Sequence, residues 1–157
     1  MNLDLIIVLK LILAIILGGI IGIERETLGK PAGSRTYALI SLGACLITIL
    51  AIEGFNQFPN ASPTVLVGSI ISGMGFLGAG VIIFHKEKLE GLTTAAALWA
   101  IASIGITLGI GWYATAGVAT LLMFLLLFIV RKIEFSKSKK GTLWDLLDKK
   151  SKNKWQL

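Results

Sequence analysis

Apolar residues fill long blocks of this chain, and charged residues gather between the blocks rather than within them. Five blocks each approach the roughly 20 apolar residues that a helix needs to cross a bilayer. They lie at about 3–23, 36–52, 64–84, 92–110 and 112–130. Only Asp4 and Lys10 interrupt the first of them. The period-2 alternation of a membrane barrel is absent from the sequence. The pattern predicts an all-α integral membrane bundle of five transmembrane helices over residues 1–131. A basic tail follows at 132–157.

Composition strengthens this picture. Of 157 residues, 55% are hydrophobic, whereas a soluble domain of that size needs far more polar surface. The first block carries an acid at Asp4, no short basic start and no small-residue cleavage site before Glu24. It is therefore expected to be a retained helix and not a cleaved leader.

Charge sets the expected orientation. Fourteen of the fifteen Lys and Arg fall on one side of a five-span topology. That side is expected to be cytoplasmic, with the N-terminus outside and the C-terminus inside. Lys10 is the exception, and it must either snorkel outward or find a partner. The net charge of +6 resides in residues 131–157, where nine cations face Glu134, Asp145 and Asp148. Anionic lipid headgroups are the nearest partner for such a tail, which argues against nucleic acid. Within it, Thr142 is placed to cap a short amphipathic helix bearing Leu143, Trp144, Leu146 and Leu147. Such a helix would lie on the bilayer, or would dock on a membrane protein partner.

Small residues recur at helical spacing and mark close packing in lipid. Helix one offers Ala14, Gly18 and Gly22. Helix two offers Ser34, Ala38, Ser41, Cys45, Thr48 and Ile52. Helix three, "GSIISGMGFLGAG", carries one face of Gly68, Ser72, Gly75 and Ala79, and another of Ser69, Gly73 and Gly80, with Gly78 nearby. It is therefore expected to be central, with a glycine face left for a homodimer. Helix four adds Gly105 and Gly109. The middles of the spans lack ionisable groups, which argues against a proton relay or a carboxylate-lined path through one copy.

The stretch "ERETLGKPAGSR" is the polar exception. Gly29 followed by Pro31 stops the first helix, leaving Glu24, Arg25 and Glu26 in its last turns. A helix C-terminus carries partial negative charge, so these acids need a cation, for which Arg35 across the turn, Arg25 and an external ion are the candidates. An ion-pair clamp, with Glu24 meeting Arg35 across the turn, is the favoured reading. A recognition surface formed by Glu24, Arg25, Glu26, Lys30, Pro31, Gly33 and Arg35 is a second. A metal site is the third, and Mg2+ is its candidate ion. Glu24 and Glu26 point about 200° apart, so such a site needs one of them together with Glu87 or Glu90 of the next polar loop. Cys45, the single thiol, and His85, the single imidazole, are read as packing and interfacial residues. No nucleophile–base pair, phosphate loop or zinc pattern is present, so neither an enzyme nor a resident cofactor is expected.

Three co-linear blocks, "GIERETLGKPAGSRTYALISLGACL", "SIISGMGFLGAGVI" and "LEGLTTAAALWAIASIGI", resemble the MgtC/SapB family of bacterial inner-membrane proteins. The resemblance covers about residues 10–110. It implies a multi-pass inner-membrane domain of five helices with a cytoplasmic C-terminus. It also implies an association with low magnesium, acid and intracellular stress, in a role usually regarded as regulatory. The motif positions matched are Glu24, Arg25, Glu26, Gly29, Lys30, Pro31, Gly33, Arg35, Gly73, Gly75, Phe76, Gly78, Gly80, Thr93, Thr94 and Trp99. Two departures stand out. Many relatives append a cytoplasmic ACT-like domain, whereas about 27 residues follow the last helix here, and Tyr37 replaces the usual His. The expected function is a regulator tied to magnesium homeostasis or stress adaptation. An oligomeric magnesium or other cation transporter is the alternative.

Overall fold

The computed structural model describes residues 3–54, 62–85 and 88–129. Helix α1 spans Leu3–Thr27 and α2 spans Ser34–Ile49. Leu50–Gly54 continues α2 as a π-helical turn. Helix α3 spans Pro63–Gly80, α4 spans Leu92–Ile110 and α5 spans Tyr113–Ile129. The first four rods are each long and apolar enough to cross a membrane, and α5 is a shorter apolar helix. The fold class is all-α. Glu87, the loop at 55–61 and the basic tail with its expected helix lie outside the described residues, as does the side chain of His85.

Local chemistry explains where the helices begin and end. Asp4 in the first turn of α1 and Arg25 in its last both complement the helix dipole. The helix stops at Gly29, whose φ of +61° is left-handed. The Gly29 N–H then reaches the Glu26 carbonyl at 3.0 Å, and the Lys30 N–H reaches that of Arg25 at 3.1 Å. This is the Schellman closure of an α-helix. Pro63 at the start of α3 supplies a ready-made helical φ without wasting a donor.

Helix α3 ends at Gly80, short of the expected 64–84. Glycines weaken its last turn, and the β-branched Val81, Ile82 and Ile83 favour extended chain. Residues Ile83–His85 form strand β1, antiparallel to β2 at Lys88–Glu90, with Phe84 opposite Leu89. Gly91 then turns the chain into α4 at a φ of +90°. A side chain there would overlap the Val81 carbonyl, so the hairpin can return only through glycine.

The centre of the bundle is α2. A Cβ on Gly18 of α1 would come within 2.6 Å of the Tyr37 carbonyl oxygen, and one on Gly22 within 2.5 Å of the Ser34 Cα. From the other side, a Cβ on Gly105 of α4 would overlap the Ser41 carbonyl, and one on Gly109 would stand 2.6 Å from the Thr48 Cβ. Helices α1 and α4 thus clasp α2, backbone against backbone, through missing side chains. Tyr37, Ser41, Cys45 and Thr48 lie fully buried along the clasped stripe. Thr48 satisfies its hydroxyl on the Ala44 carbonyl at 2.7 Å.

This corrects the expectation that helix three is central. Added Cβ atoms at Gly68, Gly73, Gly75 and Gly80 would meet nothing within 4 Å, and Ser72 is exposed. Only Gly78 of that set approaches a neighbour, with Ala95 of α4 at 3.6 Å. Small residues permit approach from two sides, but they do not compel it.

Two compact units divide the chain, Met1–Met123 and Phe124–Leu157. In the first, Ala116 is buried and the Thr120 hydroxyl bonds back to its carbonyl at 2.8 Å. In the second, the rings of Phe124 and Phe128 stack with centroids 6.4 Å apart.

Candidate functional site

The turn between α1 and α2 is held by one carboxylate. Gly33, in extended conformation, stands at the N-cap of α2 but has no side chain to cap with. Glu26 takes that role from the end of α1. Its Oε2 accepts the Ser34 N–H at 2.9 Å and the Ser34 hydroxyl at 2.5 Å. An acid at a helix N-terminus is favourable, which resolves the apparent conflict of placing Glu26 at a C-terminus. A Cβ on Gly33 would stand 2.9 Å from that same Oε2, so a larger residue there would have to push the Glu26 carboxylate off Ser34. Gly22 lets the start of α2 come down onto α1.

Glu24 behaves differently. It pairs with its neighbour Arg25, whose Nε donates to one carboxylate oxygen and whose Nη2 donates to the other at 2.7 Å. Arg25 is 3% exposed, so the pair forms a partly buried, bidentate plug at the helix end. The expected clamp between Glu24 and Arg35 is therefore not formed. Arg35 and Lys30 are exposed, and neither makes an ion pair among the described residues.

Lys30, Arg35 and Thr36 line a recess of about 420 Å³ together with Glu26, Gly33 and Ser34. Pro31 is exposed at the turn, and its neighbour Ala32 is buried. Glu90, Thr93 and Thr94 do not line this recess. Glu90 sits in β2 opposite Ile83. Thr93 is exposed, Thr94 is buried at the start of α4, and Trp99 is half exposed. The magnesium expectation rests partly on Glu87, which lies outside the described residues, and both hairpin carboxylates already accept from internal donors. The Glu24 carboxylate is taken by Arg25, and the Glu26 Oε2 by Ser34. Among the described residues, no three His, Cys, Asp or Glu side chains gather to hold a metal.

At the opposite end of the clasp, Lys10 has found its partner. Its Nζ donates to Glu53 Oε1 and to the Gly109 carbonyl, each at 3.0 Å. Glu53 comes from the π turn after α2, and Gly109 from the last turn of α4, where carbonyls lack helical partners. One ammonium thus joins three rods. Sequence reading identified the need but not the partner. The signal was there, since Lys10 and Glu53 stand at similar distances from the α1–α2 turn and so at similar depth.

The two ends of α2 are therefore fastened by polar contacts, and its length is sealed by glycine. Comparison with known proteins places this arrangement. The model of the MgtC family matches residues 11–136.

The chain belongs to the MgtC family.

It is 39% identical over 135 residues to SapB of Bacillus subtilis, covering 82% of this chain and 56% of the relative. It is 37% identical over 134 residues to MgtC of Brucella abortus strain 2308, covering 82% and 54%. YhiD of Escherichia coli K12, named as a candidate magnesium transporter, is 35% identical over 133 residues, covering 82% and 62%. The chain thus spans little more than half the length of these MgtC-family relatives. No solved structure matches it. Together with the four apolar rods, family membership makes this a multi-pass membrane protein.

Proposed function

We propose that this MgtC-family chain is a non-enzymatic regulator in the bacterial inner membrane, linked to magnesium homeostasis or to acid and stress adaptation. One observation carries the reading: α2 is clasped on both sides by glycine–backbone contacts. A path for a hydrated ion needs a lined cavity, and at Gly18, Gly22, Gly105 and Gly109 the described backbones approach too closely to leave room for one. The buried charged groups of the clasp are committed to internal partners, Lys10 to Glu53 and Arg25 to Glu24. The polar hairpin between α1 and α2 is then the surface offered to a membrane protein partner, on the cytoplasmic side if the positive residues set the orientation.

A second reading has its own support. The face of α3 bearing Gly68, Ser72 and Gly75 is open, so copies of the chain could pack there and enclose a cation path between them. The name of the E. coli relative points the same way.

Magnesium flux separates the two. Purified full-length protein in liposomes, with a magnesium dye inside, is expected to match empty vesicles. Flux that rises with protein density, and is lost when α3 glycines are enlarged, would establish the second reading.

A further inference from the structure

We propose that the groove between α2 and α3 seats one anionic phospholipid, its headgroup held by Lys30 and Arg35 and one acyl chain lying between the helices. The recess at the hairpin end contributes the charge. Its lining holds two cations against a single acid, and that acid, Glu26, already accepts from the Ser34 N–H and hydroxyl. Lys30 and Arg35 are exposed and make no ion pair among the described residues. A phosphate diester is the complement of this pair, as guanidinium and ammonium groups bind phosphate oxygens well.

Below the recess lies an apolar crevice of about 410 Å³. Its walls include Leu39, Gly43 and Ile47 of α2 and Gly73, Met74 and Leu77 of α3. Both glycines are cut back to open space, with nothing within 4 Å of an added Cβ. The two cavities share one helix face. Thr36 lines the recess, and Leu39, Gly43 and Ile47 follow it at helical spacing. From Thr36 to Ile47 the helix rises about 16 Å. That is about half of a bilayer's roughly 30 Å hydrocarbon core, the depth of one leaflet. A cationic rim over an apolar slot of leaflet depth fits a lipid better than a free anion, which would use the rim alone.

Native mass spectrometry of the full chain, released from micelles doped with phosphatidylglycerol or phosphatidylcholine, tests this. One phosphatidylglycerol is expected to stay bound, preferred about tenfold over phosphatidylcholine. Lys30→Gln with Arg35→Gln should abolish the preference while retaining the basic tail. Gly43→Leu with Gly73→Leu, both into open space, should lower retention of either lipid severalfold. The charge pair and the glycine pair act independently, so misfolding of one leaves the other as the test. A preference that survives the charge substitutions assigns the lipid to the tail and overturns the proposal. So does displacement by inorganic phosphate as effective as by phosphatidylglycerol. Loss of a dimer in the glycine variant, with lipid retention unchanged, assigns the groove to a second copy and overturns it too.

Discussion

The ammonium of Lys10 meets Glu53 at 3.0 Å across 43 positions of sequence, and in the same geometry holds the carbonyl of Gly109 on a third helix. The Lys10 side chain is 7% exposed and that of Glu53 is 25% exposed. Such a pair does not drive folding strongly by itself, but removing one partner strands the other in a poorly hydrated place. Lys10→Met is therefore expected to cost about 3 kcal/mol. Adding Glu53→Gln should recover part of that loss. Thermal unfolding of the purified variants in detergent, followed by loss of monodisperse protein, measures both.

The glycine clasp gives a contrast between positions of the same residue type. Gly105→Ala drives a methyl into the Ser41 carbonyl, which is backbone and cannot yield. A loss of at least about 1–3 kcal/mol is expected. Gly68→Ala enters open space on α3 and should gain up to about 1 kcal/mol of helix propensity. Melting temperatures of the two variants should move in opposite directions.

Charge exchange tests the pairing at the hairpin. Glu24→Arg and Arg25→Glu should each lower the amount of protein in the membrane, and the double exchange should restore much of it. Glu24→Arg combined with Arg35→Glu should restore nothing, because those two side chains do not pair. Immunoblots of isolated membranes are sufficient to decide.

The turn itself makes a narrower claim. Gly29 holds a left-handed φ of +61° with open space around its Cβ position. Gly29→Ala is therefore limited to backbone strain of roughly 1–2 kcal/mol. Gly29→Asn should cost less, since Asn tolerates that conformation. Comparing the two melts separates strain from packing.

Much of this was legible in the sequence, and the rest failed for physical reasons. Gly29 and Pro31 announced the end of α1, because chain stops depend on local backbone chemistry. Lys10 announced that it must snorkel outward or find a partner. Glu53 and Gly109 could not be named, since that requires knowing which rods are neighbours. Arg25 was one of the cations available to Glu24, but Arg35 was preferred because adjacent helical positions normally diverge. Helix three misled for a different reason. Its glycines advertise a surface that can be approached, whereas the buried stripe of Ser41, Cys45 and Thr48 on α2 marks one that is approached. Residues 81–84 were included in the third span because apolar length alone does not distinguish the last turn of a span from a short strand.

Cys45 offers the most direct test, being the single thiol of the chain and fully buried on the clasped face of α2. In intact proteoliposomes, a small water-borne maleimide applied from both sides should leave it unmodified, and denaturation should make it fully reactive. Rapid labelling in the folded, membrane-embedded protein would mean that water reaches the middle of α2. The sealed clasp, and the regulator reading that rests on it, would then be wrong.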